Sequence, residues 1–141
     1  MIRYYKPGDE KAIAEIEKEC FSVPWSEQAV LDSANSGCTF VLFEKDGCPI
    51  GYAGLQAVLD EGYITNIAVK KAFRRQGVAE ALLQELFKKL DDEVCFISLE
   101  VRNSNLAAVN LYEKLVFEKE GIRKNFYSAP LEDALIMTKR R

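Results

Sequence analysis

Apolar and polar positions along the chain alternate between two rhythms, one helical and one of strand period. Ala12, Ile13, Ile16 and Cys20 recur at helical spacing, directly after Pro7-Gly8-Asp9, which reads as a turn followed by a helix N-cap. The pattern breaks at Phe21-Ser22-Val23-Pro24-Trp25, where Pro24 biases Val23 toward extended backbone. Ser26 can cap a second short helix through about Ser33. Phe21 and Trp25 read equally well as core aromatics or as walls of a substrate cleft.

Strand character follows from Thr39 to Lys45 and from Pro49 to Val58, with Asp46-Gly47 between them as a strong hairpin signal. A further strand covers about Tyr63 to Val69 and extends the antiparallel meander. Ala79, Leu82, Leu83, Leu86, Phe87 and Leu90 then hold the helical rhythm for three turns, and Asp91-Asp92 ends it. Val94 to Val101 reads as a buried strand. Ser104 or Asn105 can cap a helix with an apolar stripe of Ala108, Leu111, Tyr112 and Leu115. Two last strands, around Phe117 to Tyr127 and Ala134 to Thr138, are split by Ser128-Ala129-Pro130. The elements predict an α/β fold with one central sheet.

Composition narrows the chemistry. A chain of 141 residues, 48% hydrophobic and 29% charged, can bury a core without disulfides or metals. The net charge of −3 argues against nucleic-acid binding as the main activity. The N-terminal stretch carries no apolar signal segment and no run reaches transmembrane length, so a cytoplasmic protein without membrane attachment is expected. Cys20, Cys38, Cys48 and Cys95 form no C-x-x-C pair and read as reduced core residues. Histidine is absent, which removes Ser-His-Asp and Cys-His nucleophiles and nearly all zinc sites. Any general base is therefore a carboxylate, Lys, Tyr or Cys.

Three features stand out against that background. From Gly62 to Ala79 a strand, a basic turn and a helix start follow one another. Unpaired N–H groups, a positive helix end, Gly77 and flanking arginines together favour a pyrophosphate, although Lys70, Lys71, Arg74 and Arg75 also suit a plain solvated face. The turn matches neither a Walker A loop nor G-x-G-x-x-G. Glu100 ends an otherwise apolar strand; it is either a surface residue or a partly buried carboxylate with its pKa raised toward neutrality, able to take a proton from an amine. Tyr112 is either a core tyrosine or a proton donor, about 10 Å along a helix from Asn105.

Arg74-Arg75-Gln76-Gly77-Val78-Ala79 resembles the (Q/R)-x-x-G-x-(G/A) loop of the GNAT N-acetyltransferases. Within that superfamily the chain most resembles the bacterial ribosomal-protein alanine N-acetyltransferases. The matching pieces are Cys20-Phe21 with Pro24-Trp25, Asn66-Ile67-Ala68-Val69, Leu99-Glu100-Val101-Arg102 with Ser104-Asn105, Leu111-Tyr112-Glu113 and Glu132 to Met137. The likeness spans about the whole chain, in the family's order.

The resemblance implies a single GNAT domain over residues 1–141, a mixed, mostly antiparallel sheet whose fourth and fifth strands splay apart, and helices flanking it. Acetyl-CoA would be the co-substrate, with no metal. Backbone at Ile67, Ala68 and Val69 would hold the pantetheine arm, and N–H groups of Arg75, Gln76, Gly77, Val78, Ala79 and Glu80 the pyrophosphate. Asn105 would contact the coenzyme near its reacting end; Glu100 would be the general base and Tyr112 the general acid. The implied substrate is the N-terminal alanine of a small-subunit ribosomal protein, attacking the thioester directly, with the cysteines as bystanders; a monomer is expected. A GNAT acting on a small amine or a lysine, and a non-catalytic coenzyme-binding module, are the alternatives.

Three residues depart from the family's habit. Val116 stands where glycine is usual, and a β-branched residue predicts that the helix closes there without positive φ. Phe126 replaces a common tyrosine, and Tyr63 a frequent acidic residue.

Overall fold

A computed structural model describes every residue from Met1 to Arg141. The element order is β1 (Ile2–Tyr4), α1 (Glu10–Cys20), α2 (Glu27–Asn35), β2 (Thr39–Lys45), β3 (Cys48–Val58), β4 (Glu61–Val69), α3 (Val78–Lys88), β5 (Phe96–Arg102), α4 (Leu106–Lys114), β6 (Glu118–Ser128) and β7 (Leu131–Arg140). The seven strands hydrogen-bond in the order β1-β2-β3-β4-β5-β7-β6. The sheet is mostly antiparallel, and β4 with β5 is the parallel pair. That pairing joins Glu61–Tyr63 to Phe96–Ser98, three residues on strands of nine and seven. This is the α/β architecture the sequence pattern predicts.

Contacts divide the chain into two compact units, residues 1–56 with 64–90 and residues 57–63 with 91–141. In the first, Ile13 and Ile16 of α1 and Val30 of α2 pack with Phe40, Leu42 and Tyr52 from the β2–β3 hairpin. The hairpin turns at Asp46 (φ 54°) and Gly47 (φ 78°), the two positive angles of a type I′ turn. Leu82, Leu83 and Leu86 bury the apolar face of α3. In the second unit, β5 alternates strictly: Ile97, Leu99 and Val101 are buried, while Phe96, Ser98, Glu100 and Arg102 lie on the half-exposed face. Val109 and Tyr112 of α4 and its C-cap Leu115 are buried in that unit, as are Phe117, Ala134 and Met137.

Several expectations need correction. The strand β1 carries no pattern of its own; it pairs with β2 and is tied further by Arg3, which makes a bidentate pair with Asp9 at 2.7 and 2.9 Å and reaches Glu44 at 2.5 Å. Asp9 sits at the N-cap position of α1, yet its carboxylate does not cap; it accepts from Arg3 and from the Lys6 N–H. Helix α3 stops at Lys88, before Asp91-Asp92. Cys20 and Cys38 are in or near the core, but Cys48 and Cys95 are exposed. Phe21 is 42% exposed, whereas Trp25 packs against the core of the first unit.

The clearest reversal is at Val116, which has φ 71°. The N–H of Phe117 donates to the Tyr112 carbonyl at 2.9 Å and that of Val116 to Glu113 at 3.0 Å, the hydrogen-bond pair of a Schellman motif. The Phe117 and Tyr112 rings meet with centroids 5.8 Å apart, supplying the apolar contact that accompanies this motif. Two hydrogen bonds and a buried ring pair outweigh the strain of a β-branched residue in the left-handed region.

Candidate active site

In the first unit, a 3-10 turn at Lys71–Phe73 links β4 to the basic segment. Arg75 (φ 63°) and Gly77 (φ 78°) are both left-handed, and Gly77 is the N-cap of α3. Successive N–H groups in such a bend form an anion-binding concavity, and the helix start adds unpaired donors and a partial positive charge. A Cβ at Gly77 would meet nothing within 4 Å, so the residue is required there for its φ and not for room.

The four basic residues of the turn are not equivalent. Arg74 folds back so that its Nε donates to the Val69 carbonyl at 3.0 Å, which the Cys20 thiol also approaches at 3.3 Å. It therefore fixes the end of β4 and leaves Arg75 as the arginine of the loop. The Lys70 N–H bonds to Ile50 on β3. Since alternate residues of an antiparallel strand face opposite neighbours, Ile67 and Val69 turn their main-chain groups away from β3 while Ala68 turns toward it. Of the three residues expected to hold a pantetheine arm, Ile67 and Val69 thus face away from β3, with the Val69 carbonyl already taken by Arg74.

In the second unit, Glu100 lies on β5 opposite Ile136 of β7. Its side chain is only 9% exposed. One carboxylate oxygen accepts from the Tyr63 hydroxyl, and the other lies 3.3 Å from Arg123 Nε. Burial first, and then the hydrogen bond to the Glu100 carboxylate, pushes the Tyr63 phenol well above its ordinary pKa, so Tyr63 stays protonated and donates. Tyr127 is half-buried, and its phenol is raised by burial and then by Glu100. The Arg102 guanidinium sits 4.4 Å from the Tyr127 ring centroid. Arg102 also donates to the Ala129 and Pro130 carbonyls at 3.2 and 2.9 Å, pinning the β6–β7 turn.

Tyr112 is 4% exposed on α4, and its phenol is raised by burial and then by Tyr127. Asn105 is the N-cap of α4, with Oδ1 accepting from the Ala108 N–H at 3.2 Å. Glu132 ties the segment ahead of it by accepting from the Ser104 N–H at 2.6 Å.

The Acetyltransferase (GNAT) family profile matches residues 10–117. The chain belongs to the GNAT acetyltransferase family. It is 40% identical over 134 residues to the ribosomal protein bS18-alanine N-acetyltransferase of Escherichia coli strain K12, covering 92% of this chain and 89% of that one. The same-named enzyme of Haemophilus ducreyi is 35% identical over 141 residues, with 97% of each chain covered. The crystal structure of the ribosomal-protein-S18-alanine N-acetyltransferase from Escherichia coli superposes with a TM-score of 0.91 at 36% identity, covering 99% of this chain and 92% of that one. Arabidopsis thaliana NAA60 crystallised with acetyl-CoA has a TM-score of 0.88 at 19% identity over 99% of this chain and 97% of its own, and shares the fold.

Among the residues around Glu100, Arg123 carries no sequence signal of its own, and Tyr63 stands out in the sequence only as a departure from the family's habit. Tyr63, Arg123 and Tyr127 come from β4 and β6, distant along the chain from Glu100, and only strand pairing brings them to it. Tyr63 is on the exposed side of an alternating strand, so nothing local distinguishes it from a solvated tyrosine.

Proposed function

We propose that this chain, residues 1–141 acting as one domain, is an acetyl-CoA-dependent N-terminal acetyltransferase whose substrate begins with alanine and is a small-subunit ribosomal protein. The observation that carries the reading is Glu100: a nearly enclosed carboxylate on β5, with the Tyr63 hydroxyl on one oxygen and the Arg123 guanidinium beside the other. The names of the E. coli and H. ducreyi relatives support the substrate class.

Acetyl-CoA would supply the activated acetyl group as a thioester. The left-handed bend at Arg75 and Gly77 and the first turn of α3, residues Arg75 to Glu80, are suited to its pyrophosphate. Main-chain groups of Ile67 and the Val69 N–H would lie along the thioester arm, and Asn105, the N-cap of α4, would contact the coenzyme near its reacting end. Glu100 would take the proton of the incoming ammonium, directly or through one water. At pH 7 about a tenth of α-amines (pKa ~8) are already neutral, against roughly one lysine in 2500 (pKa ~10.4). A carboxylate base therefore favours an N-terminus over a lysine by supply of the neutral nucleophile alone.

Tyr112 would donate to the departing sulfur. Its raised pKa keeps the hydroxyl intact at working pH but makes full proton transfer to a thiolate uphill, so its contribution is a strong hydrogen bond in a dry site. The cysteines have no role in this scheme, and an acetyl group trapped on any of them during turnover would contradict it.

The test is mass spectrometry of short peptides with different first residues, incubated with acetyl-CoA. Acetylation is expected at the α-amine of alanine-initiated peptides and not at lysine side chains. Glu100→Gln and Tyr112→Phe are expected to slow transfer by about 10²-fold or more, the usual scale for a proton-transfer group. Rates within threefold of the parent for both would remove the assigned roles.

A further inference from the structure

The carboxylate assigned as the base already holds a cation. Arg123 Nε lies 3.3 Å from one Glu100 oxygen, and the Tyr63 hydroxyl occupies the other. Two features make this pairing unlike an ordinary structural ion pair. The Glu100 side chain is 9% exposed while that of Arg123 is 58% exposed, so one partner is fixed and the other stands in solvent. Arg123 is also the last β6 residue in register with β7, opposite Ala134, before the ladder shifts between Arg123 and Tyr127 and Asn125 turns left-handed. Its remaining contact of note is the Phe126 ring, with a centroid 5.9 Å away. A guanidinium offers donors and no acceptor, so Arg123 holds the carboxylate without serving as a base itself.

We propose that Arg123 is an internal placeholder on Glu100, displaced by the substrate's α-ammonium when peptide binds and returning once the amine has become a neutral amide. This rests on the acetyltransferase reading above. A second cation brought to the same small carboxylate is repelled by the first, so the two compete for it. In the empty site Arg123 pairs with the ionised carboxylate. During turnover the ammonium takes its place, gives its proton to Glu100 and leaves as an amide without charge. Once Glu100 passes that proton to solvent, Arg123 has a partner again and the product has none. The residue would thus tune the affinity for amine against amide without touching the acetyl group. The charged and titratable groups facing Glu100 in this arrangement are Tyr63 of β4, Arg123 and Tyr127 of β6.

The test compares two ligands on three proteins by calorimetry, with coenzyme A present: an alanine-initiated peptide and the same peptide N-acetylated. For Arg123→Gln the free-amine peptide is expected to bind about two- to fivefold more tightly than to the parent, the worth of a half-exposed ion pair. The acetylated peptide should keep its affinity, and Arg123→Lys should restore the parent value for the amine. Weaker or unchanged binding of the amine to Arg123→Gln would overturn the proposal, as would equal shifts for both peptides. These measurements need no turnover. A parent protein that binds peptide but transfers no acetyl group would therefore count against the proposed activity and leave the Arg123 result to be read by itself.

Discussion

At the scale of single residues, the least expected feature is Glu17. It lies on the apolar face of α1 with Ile13 and Ile16 and is 1% exposed. Its carboxylate accepts from the Tyr52 hydroxyl at 2.6 Å and the Trp25 N–H at 2.9 Å, and Asn66 bonds to it as well. One carboxylate thereby ties α1, β3, β4 and the connection ahead of α2. Burial, the largest effect, raises its pKa above the ordinary glutamate value against the lowering effect of these donors. A carboxyl with a raised folded pKa holds its proton in the native state after the unfolded chain has lost it. Its contribution to stability is therefore complete below the ordinary glutamate pKa and is lost as pH rises through the folded value. Glu17→Gln has no such titration, so its stability relative to the parent is expected to improve steadily as pH rises through that window. Urea midpoints for both proteins from pH 4 to 8 check this, and parallel curves would refute it. The helical spacing of Ile13, Ile16 and Cys20 is readable from sequence, but it does not single out a glutamate among them as buried. Its partners were not readable, because Tyr52 and Asn66 reach it only through the packing of β3 and β4 on α1.

At the scale of elements, most of the fold was legible because the local signals agree with the tertiary structure. Strict alternation marks β5, the Asp46-Gly47 pair marks a type I′ hairpin, and Ser26 and Asn105 do cap their helices. Where local and tertiary demands disagree, local reading fails, as at the end of α4. A β-branched residue argues against positive φ, yet the Tyr112–Phe117 ring contact and the two closing hydrogen bonds impose it on Val116. The strain remains in the folded chain. A left-handed L-residue costs about 1–2 kcal/mol, and glycine returns about 0.5–1 kcal/mol of that through its freer unfolded state. Val116 is 65% exposed, so its side chain gives little burial to lose. Val116→Gly is thus expected to stabilise the protein by about 0.5–1 kcal/mol, raising the melting temperature by roughly 2–4 °C. A lower melting temperature would mean that the Val116 side chain contributes packing beyond what its exposure indicates.

At the scale of the whole molecule, the proposed binding and chemistry can be tested separately, because the bend at Arg75 and Gly77 and the proposed base Glu100 belong to different compact units. A ligand that binds only the native state stabilises it by about 2.7 kcal/mol at a hundredfold excess over its Kd. For a chain of 141 residues, the unfolding entropy near the midpoint converts that into a rise of roughly 8–10 °C in melting temperature. Acetyl-CoA is expected to produce a shift of this size in the parent. Gly77→Ala puts a side chain into a left-handed position with open space around it, so its cost is backbone strain in the loop rather than a clash. It should lower the melting temperature of the free protein by a few degrees and remove most of the acetyl-CoA shift, since the donors would no longer point into one concavity. Glu100→Gln should do the reverse, keeping the full shift while transfer fails. If Gly77→Ala retains the shift, the bend at Arg75 and Gly77 is not what holds the pyrophosphate. If Glu100→Gln loses it, Glu100 belongs to coenzyme binding and the base must be sought elsewhere.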